Sequence, residues 1–258
     1  MNCKLITLLA AVALGTISQA ASAADLPPAP VHREPAMVPV VANWTGVYLG
    51  AGGGYGVYNV DTSTAGVGGF GPFSFDNGRA GGRGWFGTAQ IGADFQFADK
   101  FVVGIFGDYD FSSIDGTIAD LASTAHVPFK QTSAWSAGGR IGYLIVPQLL
   151  TYYSGGYTSA QFDLGQQTRQ FPPVGTFSGV TLPNQDFSGY FLGSGLEYMI
   201  FPGWFVKTEY RYASYSSKTV AGIIVPPAAP ALTSINMTLK PQVQTVRTEL
   251  VYKFNWGR

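Results

Sequence analysis

The residues of this chain best equipped for chemistry are its scarce charges, and they recur at alternate positions. They are Asp94, Asp108 with Asp110, Arg140, Glu197, Lys207 with Glu209 and Arg211, Arg247 with Glu249, and Lys253. A period of two puts side chains on one face of an extended strand, so these groups converge on one side of a sheet. Two kinds of chemistry suit such a face, a packed ion-pair core or a ring that selects ions. The cations Arg140, Lys207, Arg211, Arg247 and Lys253 stand against six carboxylates, whereas a selective pore needs one sign to dominate. The near balance favours an interior ion-pair network of Asp94, Asp108, Arg140, Glu197, Lys207, Glu209, Arg211, Arg247 and Glu249. Arg140 is the first interior cation along the chain, with Asp94 and Asp108 as expected counter-charges. By distance from the short turns described below, Arg140, Glu197, Glu209 and Glu249 should lie at similar depths, in one network.

Other chemistries find little support. A serine or aspartate mechanism generally needs a histidine base, and neither His32 nor His126 has a serine–carboxylate constellation near it in sequence. Gly66-Val67-Gly68-Gly69-Phe70-Gly71 matches a dinucleotide fingerprint, but that motif needs a strand before it and a helix after it; here Pro72 and further aromatics follow. The sole cysteine, Cys3, precedes the body of the chain, and no His/Asp/Glu cluster has metal-ligand spacing. No cofactor is expected, and the chain reads as a non-enzyme. A formal charge of 0 leaves no electrostatic footprint for nucleic acid.

The elements that must position the charges begin after an export signal. Lys4, the apolar run Leu5 to Ile17 and the small residues Ala21-Ser22-Ala23 predict a signal peptide over 1–23. Residues 24–42, with Pro27, Pro28, Pro30, Pro35 and Pro39, read as an extended tail. Residues 43–258 form one further domain. Alternating segments run roughly over 44–55, 85–97, 101–112, 131–145, 149–162, 187–200, 204–216 and 242–254. Tight turns at Ala98-Asp99-Lys100, Val146-Pro147-Gln148 and Phe201-Pro202-Gly203 alternate with long connections over 56–84, 114–130, 163–186 and 217–241. Strict short–long alternation is the pattern of an up-and-down barrel with all its long loops at one end.

Composition says which way the barrel faces. Charged residues are 12% and aromatics 14%, with 34 glycines, a set suited to a surface that does not everywhere meet water. In the last segment Val246, Thr248, Leu250, Tyr252 and Phe254 share a face opposite Arg247, Glu249 and Lys253, and the seventh sets Trp204, Val206 and Tyr210 against Lys207, Glu209 and Arg211. Aromatics crowd the strand ends, as amphipathic rings do at bilayer interfaces. The charged face is rich in glycine, as at Gly193 and Gly195, which suits a cramped lumen. The expectation is an all-β, eight-stranded antiparallel transmembrane barrel. The first and fifth segments, with Tyr48, Tyr152 and Tyr153, do not declare a face.

Ala24-Asp25-Leu26-Pro27, Trp44-Thr45-Gly46-Val47-Tyr48, Gly139-Arg140-Ile141-Gly142-Tyr143 and Val251-Tyr252-Lys253-Phe254 occur in this order. In these the chain resembles the small outer-membrane β-barrel proteins of alphaproteobacteria, the outer-membrane immunogenic or porin-family proteins. The resemblance implies residence in the cell outer membrane and a role in envelope integrity, surface interaction or weak permeability. The partners it implies are outer-membrane lipid, lipopolysaccharide, and the assembly machinery that reads the C-terminal strand. Such barrels end on an aromatic residue; here Asn255-Trp256-Gly257-Arg258 follows Phe254, so Phe254 or Trp256 would serve. Two alternatives remain open at this level: a barrel that binds a ligand or passes a small solute, and a soluble secreted barrel that binds small molecules.

Overall fold

The computed structural model describes residues 43–68, 71–119, 126–171, 175–224 and 234–255. The signal peptide, the proline-rich tail with His32, two residues of the glycine motif and Trp256 lie outside the described residues. Twelve strands follow one another: β1 (Gly46–Gly68), β2 (Gly71–Phe97), β3 (Phe101–Ala119), β4 (His126–Val146), β5 (Leu149–Leu164), β6 (Gln166–Phe171), β7 (Gly175–Thr181), β8 (Gln185–Phe201), β9 (Trp204–Tyr215), β10 (Lys218–Ala221), β11 (Ile223–Ile224) and β12 (Ser234–Asn255). Eight of them close a ring, β1-β2-β3-β4-β5-β8-β9-β12 and back to β1, each antiparallel to both neighbours. The closing seam runs from Gly46 opposite Asn255 to Val67 opposite Ser234.

The faces are inverted relative to a soluble barrel. Ile91, Phe95, Ile105, Ile141, Leu192, Leu196, Val246 and Leu250 are exposed on the outside, while Asp94, Arg140, Glu197, Lys207, Glu209, Arg247 and Glu249 are buried within. From the short turns up to a ring of aromatics that includes Tyr55, Trp85, Tyr109, Trp135, Tyr157, Tyr190 and Tyr210, no outward position of the eight staves carries a charge. A second ring, with Phe97, Phe101, Tyr143, Trp204, Tyr252 and Phe254, borders the short turns. At ~3.4 Å per residue and a tilt of ~40°, Trp85 to Phe97 spans roughly 30 Å, the thickness of a bilayer's hydrocarbon core. The soluble alternative is therefore excluded. The structure also orients the two undecided strands: Tyr48 and Tyr152 point inward, Tyr55 and Tyr153 outward.

The Pro202-Gly203 turn behaves as its residues dictate. Pro202 and Gly203, with a positive φ of 81° at Gly203, form the Pro-Gly pair of a type II turn between the paired Phe201 and Trp204. Ala98 and Asp99 both adopt left-handed backbone between Phe97 and Phe101. The long connections depart from expectation. Most of 56–84 is not loop but wall, because β1 and β2 stay paired until Gly68 meets Gly71. Beyond the aromatic ring the outward side chains turn polar, as at Asp61, Arg79, Arg83 and Asp115, while inward Tyr58, Val60, Ile114 and Leu239 are apolar and buried, so the apolar side changes face while backbone pairing continues. Of the glycine motif, Gly66 to Gly68 end β1 and Gly71 opens β2, so a strand and not a helix follows it and no helix N-terminus is offered to a phosphate. His126, expected in a loop, opens β4 opposite Ala119.

Leu250 sits within the apolar belt, whereas Gln244 sits on the same face one row above the ring of Tyr55 and Trp85. A charge facing lipid costs ~2–4 kcal/mol at the midplane and ~0–1 near an interface. Leu250→Arg should therefore reduce the fraction of folded, heat-modifiable barrel on unboiled gels, and Gln244→Arg should leave it close to wild type. Equal tolerance of both would mean that this face does not meet lipid.

Candidate functional site

The interior is filled from end to end. At the short-turn end Trp44 turns under the barrel, fully buried, and its indole N–H donates to Pro147 O at 3.1 Å. Phe205 packs on it with ring centroids 4.8 Å apart, and Leu150, Val102 and Val251 are buried nearby in the same core. At the loop end Tyr58, Phe129 and Phe162 form a second cap; Phe129 and Phe162 stack at 4.6 Å, and the Tyr58 hydroxyl donates to Phe129 O. Burial, reinforced by Asp115, pushes the Tyr58 phenol well above its usual range, so it keeps the proton that this bond needs.

Between the caps lie the charges, in three groups. Nearest the short turns, Arg140 Nη1 reaches Glu197 Oε2 at 2.7 Å and its Nη2 pairs with Asp94. Lys253 Nζ meets Asp94 at 2.8 Å and Glu197 at 2.9 Å, so two cations and two carboxylates form a closed square. Lys207 Nζ pairs with Glu249 at 2.8 Å and donates to Gln90 Oε1. Nearer the loops, Arg211 bonds Glu209 at 2.7 Å and Asp108 at 2.9 Å, while Arg247 meets Asp110 at 2.9 Å and Asp108 at 3.6 Å. Alternation also places Asp110 and Lys253 inward, and both join the network.

Aromatic rings interleave with the cations. Arg140 lies over Tyr48 and Tyr152 at 4.8 and 5.2 Å, Arg211 over Phe191 at 4.3 Å, Arg247 over Phe86 at 5.2 Å and Lys253 over Trp44 at 4.3 Å. A ring face attracts a cation electrostatically, and more strongly out of water. Glycine makes room for this packing. A Cβ at Gly195 would stand 2.5 Å from the Tyr152 hydroxyl, and one at Gly104 would stand 2.1 Å from Asp94 Oδ1.

All nine sequence-derived site residues lie inside, but two details are corrected. Asp108 is not a counter-charge of Arg140; it pairs with Arg211 and Arg247, and Glu197 takes its place beside Asp94. Nor do Arg140, Glu197, Glu209 and Glu249 share one ion-pair group, since Glu209 belongs with Arg211 and Glu249 with Lys207. Strand shear offsets residues that lie equally far from their turns. Tyr152, which donates to Glu209 at 2.9 Å while lying under Arg140, links two of the groups. Sequence reasoning missed Tyr48, Phe86, Tyr152, Phe191 and Phe205; parity alone would have put Phe86 and Phe205 inward, beside Thr88 and Lys207. Among the described residues no group of three His, Cys, Asp or Glu side chains is placed to hold a metal ion.

A model of the outer membrane protein beta-barrel domain matches residues 7–254. The chain is similar to the 31 kDa outer-membrane immunogenic proteins of Brucella melitensis and Brucella suis. Each is 28% identical over 228 residues, which is 82% of this chain and 84% of the relative. Its backbone is similar to that of the outer membrane protein OprG from Pseudomonas aeruginosa, with a TM-score of 0.51 at 14% identity, covering 83% of this chain and 99% of that one.

Removing one partner of a buried ion pair leaves the other charge uncompensated, at ~3–5 kcal/mol in a dry interior and less where water enters. Arg140→Ala leaves the two carboxylates Asp94 and Glu197 to share the single cation Lys253, so the temperature at which the barrel unfolds on gels should fall. Lys130→Ala removes only an exposed pair with Asp115 at 3.5 Å, the kind of contact worth ~0–1 kcal/mol. Its midpoint should match wild type. Matching midpoints for both variants would deny the inner network a structural role.

Proposed function

Because the chain belongs to the outer membrane protein beta-barrel domain family and is a protein of the cell outer membrane, we propose that it is a closed wall element rather than an open pore or an enzyme. In such barrels short turns face the periplasm and long loops face outward. The observation that carries this reading is the filled lumen. Tyr58, Phe129 and Phe162 cap the outer end, Trp44 and Phe205 cap the inner end, and the ion pairs occupy the space between. An eight-stranded ring has little room beyond its own side chains.

The charge arrangement supports the same reading. Each interior carboxylate named above is held by at least one guanidinium or ammonium group. Paired charges of both signs neither select one ion nor stand ready as acid or base toward a substrate. The role that fits is envelope integrity, with the projecting walls of β1, β2, β3 and β4 available for contacts at the cell surface. Insertion by the outer-membrane assembly machinery would read the last strand, β12, where Phe254 faces lipid.

Reconstituted in planar bilayers, the wild type should show no large, stable open channel. Removing bulk and charge together, as in Arg211→Ala with Phe162→Ala, should raise conductance by opening the outer cap onto the middle of the lumen. A stable wild-type channel that the double variant leaves unchanged would replace the closed-wall reading with a porin function.

A further inference from the structure

A recess of about 430 Å³ opens on the outer wall over the closing seam, lined by Gly53, Tyr55, Trp85, Val246 and Thr248. Register fixes its surroundings row by row. Thr248, Gly53 and Gly87 lie side by side on β12, β1 and β2, and the next row up is Val246, Tyr55 and Trp85. The lower row is nearly bare, and the upper row carries two rings packed edge to face at 5.1 Å. The result is an apolar slot inside the membrane belt, just beneath its outer border.

Directly above the slot the same three strands turn cationic. The row over Tyr55 and Trp85 is Gln244, Val57 and Arg83, and two rows higher stand Lys240, Asp61 and Arg79. Arg79 is held by Asp61 at 2.9 Å. Arg83 and Lys240 are exposed and make no hydrogen bond or ion pair among the described residues. At ~7 Å of strand per row, these free cations stand on two levels roughly 14 Å apart along the wall. Cations at a membrane surface attract anionic headgroups, and arginine in particular matches phosphate with its planar fork of donors.

We propose that this seam face seats one lipid of the outer leaflet, an acylated and phosphorylated saccharide of the lipid A class. An acyl chain lies in the slot between Gly53 and Trp85, and phosphate groups meet Arg83 and Lys240. A glycerophospholipid carries its phosphate at a single level next to its chains and reaches Arg83 alone. A saccharide headgroup bearing more than one anionic group spans both levels, which is why the two-tier spacing favours it.

The test is native mass spectrometry of the full barrel in mild detergent, titrated separately with lipid A and with phosphatidylglycerol. Wild type should retain lipid A in preference to phosphatidylglycerol. R83Q/K240Q should weaken that retention about tenfold or more, the factor for losing charge-assisted contacts. V246W, which fills the slot from its rim, should weaken it as well. K100Q, at the opposite end of the barrel, should bind as wild type, and all variants should keep the mobility shift of a closed barrel. Equal retention of the two lipids, or unchanged binding by R83Q/K240Q, would overturn the headgroup assignment. Loss in the charge variant but not in V246W would place the chain outside the slot and overturn that half. A dimer mass without bound lipid would give the recess to a second copy of this chain instead.

Discussion

Everything in this molecule depends on one requirement of hydrocarbon: no backbone N–H or C=O may be left without a partner there. An open sheet has two edges and cannot meet it. The chain meets it by pairing its first strand with its last, Gly46 with Asn255 through to Val67 with Ser234, so that no stave within the belt has a free side. Once the ring is closed, lipid claims the outward side chains and the inward ones share a narrow cylinder. The inverted distribution of charge follows directly, because the only place left for Arg140, Lys207, Arg211 and Arg247 is the inside.

Packing charges into that cylinder is stable only if they satisfy one another. Here they do so across the lumen rather than along the wall alone. Arg247 on β12 reaches Asp110 on β3, Arg211 on β9 reaches Asp108 on β3, and Arg140 on β4 reaches both Asp94 on β2 and Glu197 on β8. Glycines on several staves give these long side chains their space, and tyrosines and phenylalanines fill what remains. Lipid contributes little to holding the staves together, since tails are as apolar as the residues they touch. The ladders and the filled interior therefore carry the stability.

Much of this was legible in the sequence because one period governs both faces. Wherever a strand alternates charged with apolar residues, as in 204–212 or 246–254, parity assigns each side chain, and short turns between long connections imply the ring. Tyr48 and Tyr152 were not legible, because tyrosine has an apolar body and a polar tip and serves a lumen or a membrane border equally well. The pairing of Arg140 with Glu197 rather than Asp108 was hidden for another reason. Contacts between non-adjacent staves depend on tilt and stagger, which no local pattern encodes. The upper walls escaped notice because beyond lipid the apolar side moves inward, to Tyr58, Val60, Ile114 and Leu239, and this change of face breaks the pattern that marks the staves below.

The ion pairs that span the lumen have a bearing on how the chain avoids misthreading. Sliding β9 by one residue against its neighbours would turn Lys207, Glu209 and Arg211 toward lipid, since side chains alternate strictly. It would also strand Glu249 inside and leave Asp108 only its longer contact with Arg247. Each misplaced cation would add ~2–4 kcal/mol near the midplane, and the stranded carboxylate would add its own penalty. Because the partners come from β2, β3, β4, β8, β9 and β12, an error in any of these staves is felt across the whole cylinder. The charged interior thus works as a combination lock, whose tumblers align only when these strands have found their place.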